Sequence, residues 1–170
     1  MVARDPTYCP QCGAELGARV VHGRTRAWCP DCERPVFRNA VPSAGVVVRD
    51  GREVVLIERA TDRVGTWAFP GGHPEYDEEP AVAACRELEE ETGLRADPAD
   101  CELFAAVHGE HRGRHYAMVT YELDYADAAG AFNPGPEARD VAFWSVAEVL
   151  DSPAETREID RRRLRMLFEE

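Results

Sequence analysis

The sequence contains no lysine, so all 20 of its basic residues are arginines, and they face 32 aspartates and glutamates. The formal net charge is −12 at pH 7. This excess of acid argues against general binding to nucleic-acid backbones, which requires a positive surface. Adaptation to high salt and codon use that favours arginine both remain open as explanations. The composition therefore disfavours nucleic acid as a partner.

Long apolar runs are also missing, because no segment reaches the roughly 20 apolar residues that a membrane-spanning helix requires. Residues 1–20 lack the basic start and apolar stretch of a secretory signal. Hydrophobic residues still make up 44% of the 170 residues, which is enough for one packed domain and a small appendage. We expect a soluble, cytoplasmic protein that does not bind membranes.

Four of the six cysteines form two C-x2-C pairs, Cys9/Cys12 and Cys29/Cys32, separated by sixteen residues. This spacing is typical of a structural zinc site, in which four thiolates surround the metal and leave no open position for chemistry. Two disulfides are the weaker alternative, because disulfides are rare in the cytoplasm. We therefore expect residues 1–38 to fold as a zinc ribbon. Cys85 and Cys101 fall within apolar patterns and are expected in the core.

The rest of the sequence predicts a mixed sheet packed with helices, an α/β (α+β) fold. Two β-branched runs, 44–48 and 54–57, flank Asp50-Gly51, which is a strong signal for a hairpin between antiparallel strands. Residues 79–92 have the pattern of a helix that stops at Gly93. We expect one domain over 39–150, and a C-terminal helix within 151–170 that packs on it.

Three glutamates of the expected helix, Glu87, Glu90 and Glu91, are spaced at i, i+3 and i+4 and therefore share one face. Three carboxylates within one turn repel each other, so the cluster favours binding of divalent cations. Oxygen ligands suit Mg²⁺ or Mn²⁺. The alternative is an exposed acidic helix, since charged helix faces are usually solvated.

The full pattern around these glutamates resembles the Nudix box, G-x5-E-x7-R-E-(aliphatic)-x-E-E-x-G-(aliphatic). Residues 72–94 fill every specified position. The resemblance extends over about residues 40–150 and implies an α/β/α sandwich. It implies a pyrophosphohydrolase that requires a divalent metal and acts on a small nucleotide. Homodimers are frequent in the family, so a homodimer is also an expectation.

The resemblance also assigns roles to individual residues. Arg86 would orient the carboxylates, and Glu75 would lie near the substrate. The general base would be Glu90 or Glu91, or a glutamate from a later loop, Glu110 or Glu137, with a slight preference for Glu137. The implied ligands of Mg²⁺ or Mn²⁺ are the Gly72 carbonyl and the side chains of Glu78, Glu87, Glu90 and Glu91.

A zinc ribbon before a Nudix domain resembles NADH pyrophosphatases and ADP-ribose pyrophosphatases. The Ser-Gln-Pro-Trp-Pro-Phe-Pro signature of the NADH enzymes is absent from residues 104–110. The marker proline of some ADP-ribose enzymes is absent as well. We therefore expect a nucleoside diphosphate derivative, with ADP-ribose first and NADH, other dinucleotides or nucleoside triphosphates as alternatives. A non-catalytic nucleotide sensor, or a nucleic-acid-binding regulator that uses the ribbon, is the alternative of another class.

Overall fold

The computed structural model describes residues 5–61 and 64–168. The chain divides into two compact units. The first consists of Met1–Val41 together with Glu110–Tyr116, and the second of Pro42–Gly109 together with Ala117–Glu170. A short segment from the middle of the sequence thus belongs to the N-terminal unit.

The first unit contains a three-stranded antiparallel sheet with strands in the order β1-β2-β3. These strands are Gly17–Val21 (β1), Arg24–Cys29 (β2) and Arg34–Val36 (β3). In the described part of this unit the only buried residues are Cys9 and Cys29. The described part of this unit therefore has no buried core beyond its thiols, as expected for a segment that needs a metal to fold.

The second unit is built on a seven-stranded sheet, in which five strands follow the order β12-β5-β4-β10-β9, while β6 pairs with β5 and β7 with β4. A small second sheet pairs β8 with β11. The strands are Val41–Asp50 (β4), Glu53–Arg59 (β5), Trp67–Ala68 (β6), Gly71–Gly72 (β7), Leu94–Arg95 (β8), Glu102–His111 (β9), Arg114–Asp124 (β10), Ala129–Gly130 (β11) and Ala138–Ser145 (β12). The helices are Pro80–Thr92 (α1), Val146–Asp151 (α2) and Glu158–Phe168 (α3).

Both faces of the large sheet are covered. Val46 and Val48 of β4 pack with Leu88 of α1 in one cluster of buried residues. Val47, from the same strand, packs in a second cluster with Val149 of α2 and Leu164 of α3. The architecture is therefore the predicted α/β/α arrangement, with the sheet between α1 and the pair α2 and α3.

Local sequence signals account for the elements around the site. The β4–β5 hairpin has the predicted antiparallel register, with Asp50 opposite Glu53 and Gly51 at a φ of 58°. Pro80 occupies the first turn of α1, where its missing N–H costs nothing. Gly93 ends the helix in the left-handed conformation at φ 80°. No helix in the described residues is long and apolar enough to cross a bilayer.

Helix α3 carries four arginines, Arg161, Arg162, Arg163 and Arg165. Its ion pairs within the helix include Arg161 with Glu158 and Arg163 with Asp160. Asp160 and Arg163 are also buried, at 1% and 2% exposure. The Arg163 guanidinium lies 5.3 Å from the centre of the Phe69 ring and donates to the Thr120 hydroxyl. The helix thus joins the core through charged side chains as well as apolar ones.

Candidate active site and metal centre

The strand Gly71–Gly72 lies unusually close to its neighbour β4, where Ala44 faces Gly72 and Gly45 faces Gly71. A Cβ on Gly71 would lie 2.6 Å from the Ala44 carbonyl oxygen, and one on Gly45 would lie 2.7 Å from that of Pro70. Gly71 also has a φ of 150°. Only glycine permits this approach, and the approach fixes where the strand meets α1.

Two carboxylates of α1 meet this glycine strand. The Glu87 carboxylate fills the space beside Gly72, because a Cβ there would lie 2.3 Å from Oε1 of Glu87. The Gly71 N–H donates to Oε2 of Glu91 over 2.8 Å. The backbone at Gly71–Gly72 is therefore in direct contact with two of the predicted ligands.

Arg86 links the other carboxylates of the box. Its Nε and Nη2 donate to both oxygens of Glu78, at 2.9 and 3.0 Å. Its Nη1 donates to Oε1 of Glu87 at 3.0 Å and to Oε2 of Glu90 at 3.2 Å. The hydrogen bond from Arg86 lowers the pKa of Glu78, which stays ionised. Arg86, which the sequence analysis expected to orient the carboxylates, thus pairs with Glu78, Glu87 and Glu90.

Glu91 differs from the other carboxylates because it is buried, with 5% exposure. Burial raises its pKa to about 7, and the charge of Glu87 adds to the rise, although the Gly71 N–H opposes it. This burial was not predicted from the sequence. The signal was present, since Ala84, Leu88 and Glu91 follow the spacing i, i+4, i+7 of one helix stripe. A carboxylate whose pKa is perturbed by burial and by a neighbouring charge is a candidate for a functional site.

The donor atoms fit a hard divalent cation, because all of them are oxygens. They are not gathered around one point. Among the described residues, the only group of three or more His, Cys, Asp or Glu ligand atoms within 4.8 Å of one another is the four cysteines. Arg86 stands between the carboxylates of Glu78, Glu87 and Glu90. The Glu90 side chain is 58% exposed and open to a cation from solvent.

The remaining predicted site residues lie in three places. Glu75 is exposed, and its N–H donates to Oε2 of Glu78. Glu137 is also exposed and follows Gly135, whose added Cβ would lie 1.9 Å from the Glu90 carbonyl oxygen. The loop before Glu137 therefore lies against the end of α1. Glu110 belongs to the first compact unit.

The four paired cysteines form a second centre, within the first unit. Their sulfur atoms all lie within 4.8 Å of one another, with Cys9–Cys32 at 4.0 Å and Cys12–Cys29 at 3.5 Å. A tetrahedral zinc with Zn–S bonds of about 2.3 Å places its sulfurs about 3.8 Å apart. All six cysteines are free. The cluster therefore fits a structural zinc ion.

Removal of this zinc is expected to unfold the ribbon selectively. The unit has no other buried residues in its described part, and structural zinc contributes about 10–16 kcal/mol to the folding of small zinc peptides. After chelation, hydrogen exchange should show lost protection over β1–β3 and retained protection over β4 and β5. Protection of β1–β3 that survives complete loss of zinc would contradict this role.

Cys85 and Cys101 provide the control for that experiment. Cys85 is buried, and Cys101 is half-buried and packs against the core cluster that contains Leu88. Their sulfur atoms lie 3.4 Å apart. Burial raises the pKa of both thiols, that of Cys101 to about 12, so they stay protonated. The double variant Cys85→Ser, Cys101→Ser should keep one zinc per chain, whereas Cys12→Ser should lose it.

Comparison with known proteins identifies curated relatives. The chain is 31% identical over 117 residues to a MutT-like protein of Streptomyces ambofaciens. The match covers 69% of this chain and 71% of that protein. It is 28% identical to the NAD-capped RNA hydrolase NudC of Stutzerimonas stutzeri, over 81% of this chain and 47% of the relative. It is 31% identical to the ADP-sugar pyrophosphatase of Mus musculus, over 61% of this chain and 48% of that relative. The chain spans about half the length of the last two relatives.

The fold has a close counterpart among solved structures. A NUDIX hydrolase from Nitrosomonas europaea superposes with a TM-score of 0.74 and 25% identity, over 96% of this chain and 92% of that one. A domain of unknown function, DUF7351, matches residues 6–69. The NUDIX domain model matches residues 40–167, which hold the whole glutamate box. The chain belongs to the Nudix hydrolase family.

Proposed function

We propose that this protein hydrolyses the diphosphate linkage of a nucleoside diphosphate derivative, with ADP-ribose as the favoured substrate. The observation that carries the proposal is the convergence of Glu87 and Glu91 on the Gly71–Gly72 backbone. Burying a carboxylate is costly unless something compensates its charge. A divalent cation at this point would supply that compensation.

The preference for ADP-ribose rests on two features. The relative from Mus musculus is named an ADP-sugar pyrophosphatase, and residues 104–110 lack the signature of the NADH enzymes. The relatives named NAD-capped RNA hydrolases support dinucleotides as the second candidate. In either case the bond that breaks is a phosphoric anhydride between two phosphorus atoms.

The ligands proposed for Mg²⁺ or Mn²⁺ are the Gly72 carbonyl and the carboxylates of Glu78, Glu87, Glu90 and Glu91. When bound, such an ion supplies Lewis-acid stabilisation of the charge that develops on the phosphoryl oxygens. Arg86 fixes the orientation of Glu78, Glu87 and Glu90 through its four hydrogen bonds to them. This pre-organisation reduces the rearrangement that the transition state requires.

We propose Glu137 as the general base. Its loop lies against the end of α1 through Gly135, whose N–H is 3.5 Å from the Glu91 carbonyl oxygen. Glu137 is exposed, so its carboxylate is accessible to water. It would take a proton from the water whose oxygen attacks phosphorus. The anhydride P–O bond would break, so that ADP-ribose and water would give AMP and ribose 5-phosphate. Glu90 and Glu91 are the alternative bases.

Hydrolysis is tested by incubating the zinc-loaded protein with Mg²⁺ or Mn²⁺ and a panel of substrates, and separating the products by chromatography. The panel contains ADP-ribose, NADH, NAD, FAD, dinucleoside polyphosphates and nucleoside triphosphates. We expect cleavage of ADP-ribose to AMP and ribose 5-phosphate. Glu90→Gln should lower kcat by about two orders of magnitude or more. This is the effect expected when a group that helps to stabilise the charge of the transition state is removed.

Glu89→Gln is the matched control, because Glu89 is the exposed neighbour of Glu90 on the same helix and changes the charge equally. It should retain activity close to that of the native protein. No cleavage in the panel at any salt concentration would reject hydrolysis and favour a non-catalytic nucleotide sensor. Equal losses in the two variants would show that net charge, and not the proposed ligand, matters.

A further inference from the structure

One face of the ribbon sheet combines arginines with aromatic rings. Side chains alternate between the two faces of a strand, and the register pairs Arg19 with Arg26 and Trp28 with Pro35. We call this face the arginine face. None of its positions holds an acidic residue. The pairing register gives seven of its positions, namely Gly17, Arg19, Val21, Arg24, Arg26, Trp28 and Pro35. Phe37 follows β3 and joins the face through its ring contact with Arg26.

Ring contacts confirm that these side chains share a face. The Arg19 guanidinium lies 4.5 Å from the centre of the Trp28 ring, and that of Arg26 lies 4.9 Å from the centre of the Phe37 ring. Arg19 and Arg24 are exposed, and Phe37 is 49% exposed. Arg26 and Trp28 are half-buried, so the exposed part of this face combines two cations, Arg19 and Arg24, with the Phe37 ring.

The charge of the chain is unevenly distributed between its two units. The first unit holds eight arginines and five acidic residues, a formal charge of +3, which leaves −15 for the second unit. Zinc bound to four thiolates would lower the formal charge of the first unit by two. The net charge of the whole chain therefore does not describe the first unit, whose own formal charge is positive.

We infer that the arginine face binds single-stranded nucleic acid. Arginines would contact successive phosphates, and the rings of Trp28 and Phe37 would stack on unpaired bases, which is how sequence-tolerant single-strand binders work. A duplex keeps its bases stacked inside and cannot use the rings. The interaction is separate from hydrolysis, and it assigns the ribbon a binding role in addition to its zinc.

Fluorescence anisotropy with a labelled 12-nucleotide RNA tests the inference on the full, zinc-loaded protein. The RNA carries a 5′-hydroxyl, so it has no diphosphate to hydrolyse, and no divalent cation is added. Binding should weaken with salt, with a log–log slope of about −2, since each single-strand phosphate contact contributes about 0.7. The same sequence as DNA identifies which nucleic acid is preferred, and the duplex should bind at least about tenfold more weakly.

Two substitutions on the arginine face separate charge from stacking. Arg24→Gln should weaken binding several-fold and reduce the slope by about 0.7, and Phe37→Ala should weaken it by about fivefold or more. Arg34→Gln is the matched control, because Arg34 is exposed and lies opposite Cys29, on the other face of the same sheet. Zinc content and thermal melting check that each variant folds.

Three results would overturn the inference. The first is no binding at 50 mM salt. The second is an equal effect of Arg24→Gln and Arg34→Gln, because binding would then depend on net charge. The third is unchanged affinity in Phe37→Ala together with full competition by inorganic polyphosphate, because the face would then attract any polyanion. Loss of hydrolysis in the substrate panel would leave these measurements unaffected.

Discussion

Replacement of Asp160 by asparagine is expected to lower the free energy of unfolding by about 3–5 kcal/mol, the usual cost of breaking a buried ion pair by removing one partner. Asp160 is 1% exposed and accepts hydrogen bonds from Arg157 and Arg163. The Arg163 side chain is 3% exposed. Asparagine is neutral, so the buried Arg163 charge would lose its counter-charge and keep the Thr120 hydroxyl and the Phe69 ring as neutral partners. Chemical denaturation at pH 7 measures the loss.

The effect should depend on pH in a defined direction. Burial alone would raise the pKa of Asp160, but the charges of Arg157 and Arg163 outweigh burial and hold the pKa below its usual value. The stabilisation is therefore present above the pKa of an unfolded aspartate, about 3.9. It is lost as the pH falls through the lowered pKa of the folded state. The difference between native protein and variant should shrink below about pH 4.

Asp151→Asn is the control for Asp160→Asn, because Asp151 is an exposed aspartate at the end of α2 and undergoes the same substitution. It should change stability by no more than about 0.5 kcal/mol. Arg163→Met and the double variant Asp160→Asn, Arg163→Met complete a double-mutant cycle. The double variant should cost less than the sum of the single changes, since both remove the same pair. Additive costs would show that the two residues do not stabilise each other.

Much of the fold and of the candidate site follows from the sequence because local signals specify it. Pro80 and Gly93 delimit α1, and Asp50-Gly51 specifies the hairpin. Helix geometry alone brings Arg86 to Glu90, four residues later, whereas the contact of Arg86 with Glu78 depends also on the loop before α1. Patterns read over a few residues were sufficient for these features.

The features that the sequence did not predict depend on contacts between distant segments. Arg163 becomes buried because Thr120 and Phe69 lie beside it, 43 residues away in the case of Thr120. The β8–β11 pair forms where Ala129 meets Arg95, a residue from a distant part of the sequence. The segment Glu110–Tyr116 joins the first unit across a large sequence separation. Periodicity contains no information about such partners.

Gly72→Ala is expected to remove most hydrolytic activity while leaving the fold intact. The new Cβ would lie 2.3 Å from Oε1 and 2.6 Å from Oε2 of Glu87, so the carboxylate must move. The end of a flexible side chain moves at little cost in stability. Displacing a catalytic group by about 1 Å can lower the rate about 100-fold. We expect kcat for the preferred substrate to fall by about two orders of magnitude, with a nearly unchanged melting temperature.

Gly71→Ala should have the opposite result, and this contrast makes the prediction specific. Its Cβ would meet the backbone of Ala44 and Gly45 at 2.6 Å, and its φ of 150° disfavours a side chain, so the fold itself should be destabilised. In a Glu87→Gln background, Gly72→Ala should cost little more activity, because both changes act on one carboxylate. Full activity in Gly72→Ala, or an independent second loss in the double variant, would separate Gly72 from Glu87 and reject the proposed metal site at the glycine strand.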